Sequence, residues 1–246
     1  MIFNRKKHMP LFSKGKAPIG SQLSFVAAEA YKLLRTNLVF SLPDEKGCRV
    51  IGVTSALRGE GKSTTSLNLA YTIAEANKKV LLIEMDLRLP VIAKRLSISK
   101  APGLSNFLVG LNNAGEVIQA SGIHENLFVI TAGNIPPNPS ELLGSKEMVT
   151  TIEVMSQNFE YIIIDLPPVN AVSDALVVSK LTHGMIMVVR QDYNNQRELD
   201  EAMRQLKIVG ANVLGFVLHQ SESREGKKYK KYGYEYGYGH EYRKKT

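Results

Sequence analysis

The chain has 246 residues, of which 44% are hydrophobic and 22% charged, which places it among soluble globular proteins with length for one large, well-buried α/β core. Its net charge of +8 sits in its ends: residues 1–16 carry five Lys/Arg and no acid, and residues 221–246 carry eight Lys/Arg and four Glu, leaving a near-neutral body. That distribution argues against a nucleic-acid groove in the fold. A lone cysteine, Cys48, excludes a disulfide within the chain and is expected to be a small buried residue at the edge of the first strand.

No apolar run approaches the length of a membrane span, and the start MIFNRKKHMPLFSKGK lacks the apolar core of a secretion signal, so a cytoplasmic location is expected. The basic ends suit an acidic surface such as the anionic inner leaflet; simple solubilising ends are the alternative. Residues 1–20 read as a basic flexible segment, 21–220 as the folded domain and 221–246 as a tail.

In chain order, Leu23 to Leu42 reads as an amphipathic helix with Glu29, Lys32 and Arg35 along one side, where they pair internally or reach a neighbouring subunit. The run RVIGVTSALRGEGKSTTSLNLAYTIAEA (49–76) then gives strand, turn and helix. Gly59 and Gly61 let backbone N–H groups turn inward around an anion, the new helix points its positive end there, Lys62 adds a charge and Ser63 offers a hydroxyl to Mg²⁺. The strict phosphate-loop pattern has glycine where this chain has Ala56. A glycine-rich turn with an exposed lysine is the plainer reading, and it leaves unexplained the acidic strand ends that follow.

KVLLIEM (79–85) is a buried-strand pattern whose end alternates Glu84, Asp86 and Arg88. Residues 89–125 are mixed, with short helical stretches broken by glycines, and LFVIT (127–131) is a strand. The loop AGNIPPNPSELL leads to a helix starting near Pro139 or Ser140. Strand 161–164 ends in Asp165, Leu166, Pro167 and Pro168; strand 185–190, helix 196–209 and strand 212–218 complete a β/α alternation. The expected fold is α/β, a P-loop NTPase-like, mostly parallel sheet with helices on both faces. SESREGKKYKKYGYEYGYGHEYRKKT contains no aliphatic residue and holds Tyr229, Tyr232, Tyr234, Tyr236, Tyr238 and Tyr242; its composition predicts disorder.

Parallel α/β sheets bind ligands at the carboxyl ends of their strands, and three strands deliver Lys62–Ser63, Glu84/Asp86 and Asp165 to that edge. Phosphoryl transfer needs such a set, a phosphate cradle with a cation held by hydroxyl and carboxylate. By position Asp165 is the Walker B aspartate; a helix-capping or turn-forming role is its alternative.

GEGKS (59–63), LLIEMDLR (81–88), IPPNPSELL (135–143), IIIDLPPV (162–169) and the terminal tyrosine cluster resemble the bacterial tyrosine kinases, P-loop enzymes of capsule and exopolysaccharide systems. The resemblance covers nearly the whole chain and implies an ATP- and Mg²⁺-dependent tyrosine kinase. It implies that Lys62 and the backbone of Gly59, Glu60, Gly61, Lys62, Ser63 and Thr64 hold the ATP phosphates. It further implies that Ser63, Asp86 and Asp165 manage Mg²⁺, and that Glu84 stands where a carboxylate activates the tyrosine hydroxyl. By the same resemblance the tail tyrosines are phosphorylated between subunits of a ring-like homo-oligomer in which Glu29, Lys32 and Arg35 make contacts. A transmembrane activator and chain-length regulator of polysaccharide synthesis is the implied partner, placing the protein peripherally at the inner membrane face, with other protein substrates and no nucleic acid. Glu84, Lys32 and Arg58 stand where the family usually has Asp, Arg and Pro. A Min/Par-type ATPase is the runner-up, lacking here its signature lysine at Leu57, and a non-catalytic ATP-dependent adaptor is a third reading.

Overall fold

The computed structural model describes residues 17–42 and 47–219. The basic segment to residue 16 and the tyrosine cluster lie outside the described residues. A 3₁₀ turn at Gly20–Gln22 precedes α1 (Phe25–Ser41), β1 (Arg49–Ser55), α2 (Lys62–Ala74), β2 (Val80–Glu84), α3 (Ile92–Leu96), α4 (Leu104–Leu108) and α5 (Ala114–Val117). There follow β3 (Gln119–Ala120), β4 (Leu127–Ile130), α6 (Pro139–Leu143), α7 (Lys146–Ser156), β5 (Tyr161–Asp165), α8 (Asp174–Val178), β6 (Gly184–Arg190), α9 (Gln196–Ile208) and β7 (Val213–His219).

The seven strands form one sheet in the order β3-β4-β2-β5-β1-β6-β7. All neighbours are parallel except β3, which runs antiparallel to β4 at the edge. The inner strands β1, β2 and β5 are apolar because both faces are covered. On one face Ile51, Val53, Leu82, Ile163 and Ile186 pack under α1 and α2; on the other Leu81, Ile83, Ile162, Ile164 and Met185 pack under α7, α8 and α9. The chain leaves β1 for β2 on one side and returns through β6 on the other, so the carboxyl ends of β1, β2 and β5 open on the reversal point where ligands bind.

Two features concern the packing of α2. Residues 18–20 are docked: Gly20 N donates to Asn68 Oδ1 at 2.9 Å, Asn68 Nδ2 donates to Pro18 O at 3.4 Å, and Gly20 is buried against the Tyr71 ring. The strap thereby covers part of the polar side of α2. The Glu29, Lys32 and Arg35 row also divides. Glu29 and Lys32 pair at 2.7 Å on the surface, whereas Arg35 Nη1 donates to the Thr72 carbonyl of α2 at 2.6 Å, so it serves the α1–α2 packing. Cys48 is half-buried just ahead of β1, and burial pushes its thiol up to about 11, which leaves it unreactive at neutral pH.

Candidate active site

The turn between β1 and α2 is built by glycine. Gly59 and Gly61 have φ of +85° and +100°, a region that L side chains rarely adopt, and a Cβ on Gly61 would lie 2.4 Å from His219 Cδ2. Thr65 N makes the first N–H bond within α2, to Gly61 O, so the amides of Lys62, Ser63 and Thr64 are left to face a ligand. Lys62 is 7% exposed at the head of the helix.

Glu60, expected to contribute backbone alone, is fully buried and braces the loop from behind. Its Oε2 accepts from Leu57 N at 2.6 Å, and its Oε1 accepts from Asn194 Nδ2 at 2.9 Å and Arg190 N at 3.4 Å. This carboxylate fastens the phosphate loop to the turn after β6. Nothing in the local sequence announces this link, because Arg190 and Asn194 stand 130 residues away or more.

Asp165 is fully buried at the end of β5, with Oδ1 accepting from Ser66 Oγ at 2.9 Å and Oδ2 left without a hydrogen-bond partner. Burial raises its pKa, opposed by the nearby Lys62 charge and the Ser63 and Ser66 hydroxyls. Asp86 is half-buried, caps Leu89 N through Oδ1 at 3.0 Å and is likewise raised by burial, with Lys62 opposing. The structure thus gathers Lys62, Ser63, Asp86 and Asp165. Among the described residues no three His, Cys, Asp or Glu side chains form a cage for a metal. A hydroxyl and two carboxylates with one orphaned buried oxygen nevertheless fit Mg²⁺, which completes its shell from water and substrate phosphates.

Glu84 is held by backbone amides. It is 1% exposed, and its Oε1 accepts from Val91 N at 2.5 Å and Ile92 N at 2.7 Å while Oε2 accepts from Ala132 N at 3.2 Å. The carboxylate therefore ties the ends of β2, β4 and the start of α3 together. Burial pushes its pKa up to about 7, against the pull of those amides. With Glu84 as a brace, Glu84→Gln should keep turnover at this edge within about tenfold while Glu84→Ala costs about 1–3 kcal/mol of stability. Rate assays and chemical unfolding check this; a hundredfold rate loss in a stable Glu84→Gln would return it to a proton-accepting role.

Arg88, the third alternating residue, points the other way. Its Nε donates to Asp174 Oδ2 at 3.0 Å and its Nη2 to Ser140 Oγ at 3.1 Å, with Asp174 fully buried and Ser140 also hydrogen-bonded to Asp174. The proline loop, α8 and the β2 end are locked by this fork.

A family profile described as the AAA domain matches residues 48–209. Tyrosine-protein kinase YwqD of Bacillus subtilis is 35% identical over 211 residues, covering 86% of this chain and 85% of YwqD. Tyrosine-protein kinase CpsD of Streptococcus pneumoniae serotype 4 is 40% identical over 202 residues, covering 81% of this chain and 87% of CpsD. The chain belongs to the bacterial tyrosine kinases. The crystallised kinase domain of Escherichia coli tyrosine kinase ETK superposes on this bacterial tyrosine kinase with a TM-score of 0.74 at 32% identity, covering 88% of each chain. The fold is that of a P-loop tyrosine kinase, and the Min/Par reading gives way to a kinase.

Proposed function

We propose that this tyrosine kinase transfers the γ-phosphoryl group of Mg-ATP to the tyrosines of its own C-terminal cluster, acting between copies of a ring-like homo-oligomer. The observation that carries the reading is the orphaned Asp165 oxygen beside Ser63 and Lys62, at the mouth of a loop with three free helix amides. The amides of 59–64 and Lys62 bind the phosphates, and Ser63, Asp86 and Asp165 hold the cation. Magnesium, when bound, neutralises charge developing on the transferring phosphoryl group. Asp86, half-buried rather than sealed, orients the acceptor hydroxyl, and Glu84 keeps the loops around it in register.

Exposed Phe25, Leu33 and Phe40 on α1, at 73%, 62% and 84%, give a helix face suited to contact between copies. Among the described residues no helix is long and apolar enough to cross a membrane. A separate transmembrane activator that regulates polysaccharide chain length would bring the kinase to the inner membrane face, where the basic ends meet anionic lipid and tail phosphorylation governs capsule or exopolysaccharide export. Each phosphate adds about −1.5 to −2 charge, so a few reverse the sign of the tail. Domain limits of roughly 17–219 for the catalytic body, with the tyrosine tail as substrate, follow from this scheme.

The test mixes two full-length variants with Mg-ATP: Lys62→Met with its tail intact, and a catalytically intact chain with all six tail tyrosines changed to Phe. Tyrosine-resolved mass mapping should find phosphate on residues 229–242 of the Lys62→Met copy. ATP hydrolysis with both tails unmodified, in the presence of an activating cytosolic segment, overturns the proposal.

A further inference from the structure

Arg95 lies on α3, outside every motif that defines the phosphate loop. It is half-buried, and its Nη1 donates to Thr64 Oγ1 at 2.7 Å. No ion pair found among the described residues includes it. A guanidinium carries five donors, and this one spends one of them on a hydroxyl. Burial acts against its charge, lowering its pKa, and the neighbouring Asp165 and Tyr31 only partly offset that. Holding a cation partly out of water without an anion in contact is unfavourable unless an anion arrives.

The location says which anion. Thr64 is the third residue of α2 and owns the last helix amide free to face a ligand, since the next, that of Thr65, already bonds Gly61 O. In phosphate loops these amides cradle the α- and β-phosphates while the loop lysine reaches the β and γ positions. Thr64 and the guanidinium on its hydroxyl therefore stand at the nucleoside end of the phosphate chain, opposite Lys62. Tyr31 lies near Arg95 without a hydrogen bond to it among the described residues, so four of the five donors remain for a ligand.

We propose that Arg95 is a second cation of the nucleotide site, donating to an oxygen of the α-phosphate, so that Lys62 and Arg95 grip the chain from its two ends. This rests on the nucleotide reading of the loop. The short helix α3 then has a role in binding. Glu84 fixes its start and Arg95 near its end reaches toward the phosphate, so the carboxylate that braces the loops also aims a ligand contact.

Calorimetric titration of the full chain with Mg-ADP, and with the two α-thio diastereomers of ADP, tests it. Arg95→Met should weaken Mg-ADP about ten- to hundredfold, as expected for loss of a charge-assisted hydrogen bond, and Arg95→Lys should recover part of that. Wild-type protein should prefer one α-thio diastereomer, and Arg95→Met should lose that preference with its ligand-free melting temperature not lowered. Weakened binding with the diastereomer preference intact means that Arg95 acts only through the fold and overturns the proposal, as does unchanged affinity. If wild-type protein binds no Mg-ADP at all, the nucleotide reading fails first. Arg95→Lys keeps the test decisive should Arg95→Met fail to fold.

Discussion

Lys62→Met is expected to lower tail phosphorylation at least a thousandfold, roughly the upper end of what removal of one charge-stabilising donor costs, while leaving a folded chain. Lys62 is nearly buried beside Asp86 and Asp165 and is the neighbouring charge that draws both carboxyls back toward ionisation. Two consequences therefore travel together. Phosphoryl transfer loses the cation that meets the phosphates, and the ligand-free protein loses the counter-charge of two buried acids, so its melting temperature at neutral pH should fall. Intact-mass kinetics and thermal unfolding read the two effects on one sample. A full rate with a depressed melting temperature would place Lys62 in the fold alone.

Asp165→Asn is expected to show the opposite pairing. Transfer should again fall by about a thousandfold or more, because a charged oxygen of the cation site is lost, yet the ligand-free protein should become more stable. Asp165 is fully buried with one oxygen unpartnered, and burial raises its pKa, so the folded state holds its proton more tightly than the unfolded chain does. For such a group stability is greatest at low pH and declines as pH rises above the ordinary aspartate range. The substitution removes that decline, so its gain should be absent in acid and present at pH 7, about 1–3 kcal/mol or roughly 2–10 °C. Added Mg²⁺ with nucleotide should stabilise wild-type protein and do far less for Asp165→Asn. A destabilised variant at neutral pH would mean that the orphaned oxygen has a protein partner and is not kept for a cation.

Much of the frame was legible in the sequence, because its signals are local. The strand patterns at 79–85, 161–164 and 185–190 are short apolar runs, and a strand of a two-sided parallel sheet has no other way to look. The phosphate loop was legible because positive-φ glycines and the lysine are adjacent in sequence. What stayed hidden depends on partners far along the chain. The Glu60 brace reaches Asn194, the Arg88 fork reaches Asp174, and Arg95 reaches Thr64, none within one element. The polar residues Thr65, Asn68 and Thr72 of α2 are buried under the overlying α1 and the strap at 18–20, and Ser66 is buried against Asp165. Glu84 was legible as a carboxylate at a strand end, but which way it turned was decided by three amides from two later loops. The two-residue strand β3 is too short to leave a period at all.

β7 is the last strand of the sheet and runs parallel to β6, so it ends on the same edge as the phosphate loop, with His219 packed at Gly61. The chain continues from that point toward Tyr229, ten residues on, a contour of at most about 35 Å. Under the proposed tail phosphorylation, acceptors tethered to the end of β7 would meet the catalytic edge at an effective concentration on the order of millimolar. At that concentration an intrinsic affinity of about −4 kcal/mol suffices for occupancy. Tethering thus relieves the active site of any need to read the residues flanking each tyrosine. On the proposed scheme, one sequence-tolerant acceptor site would serve the six tyrosines in turn.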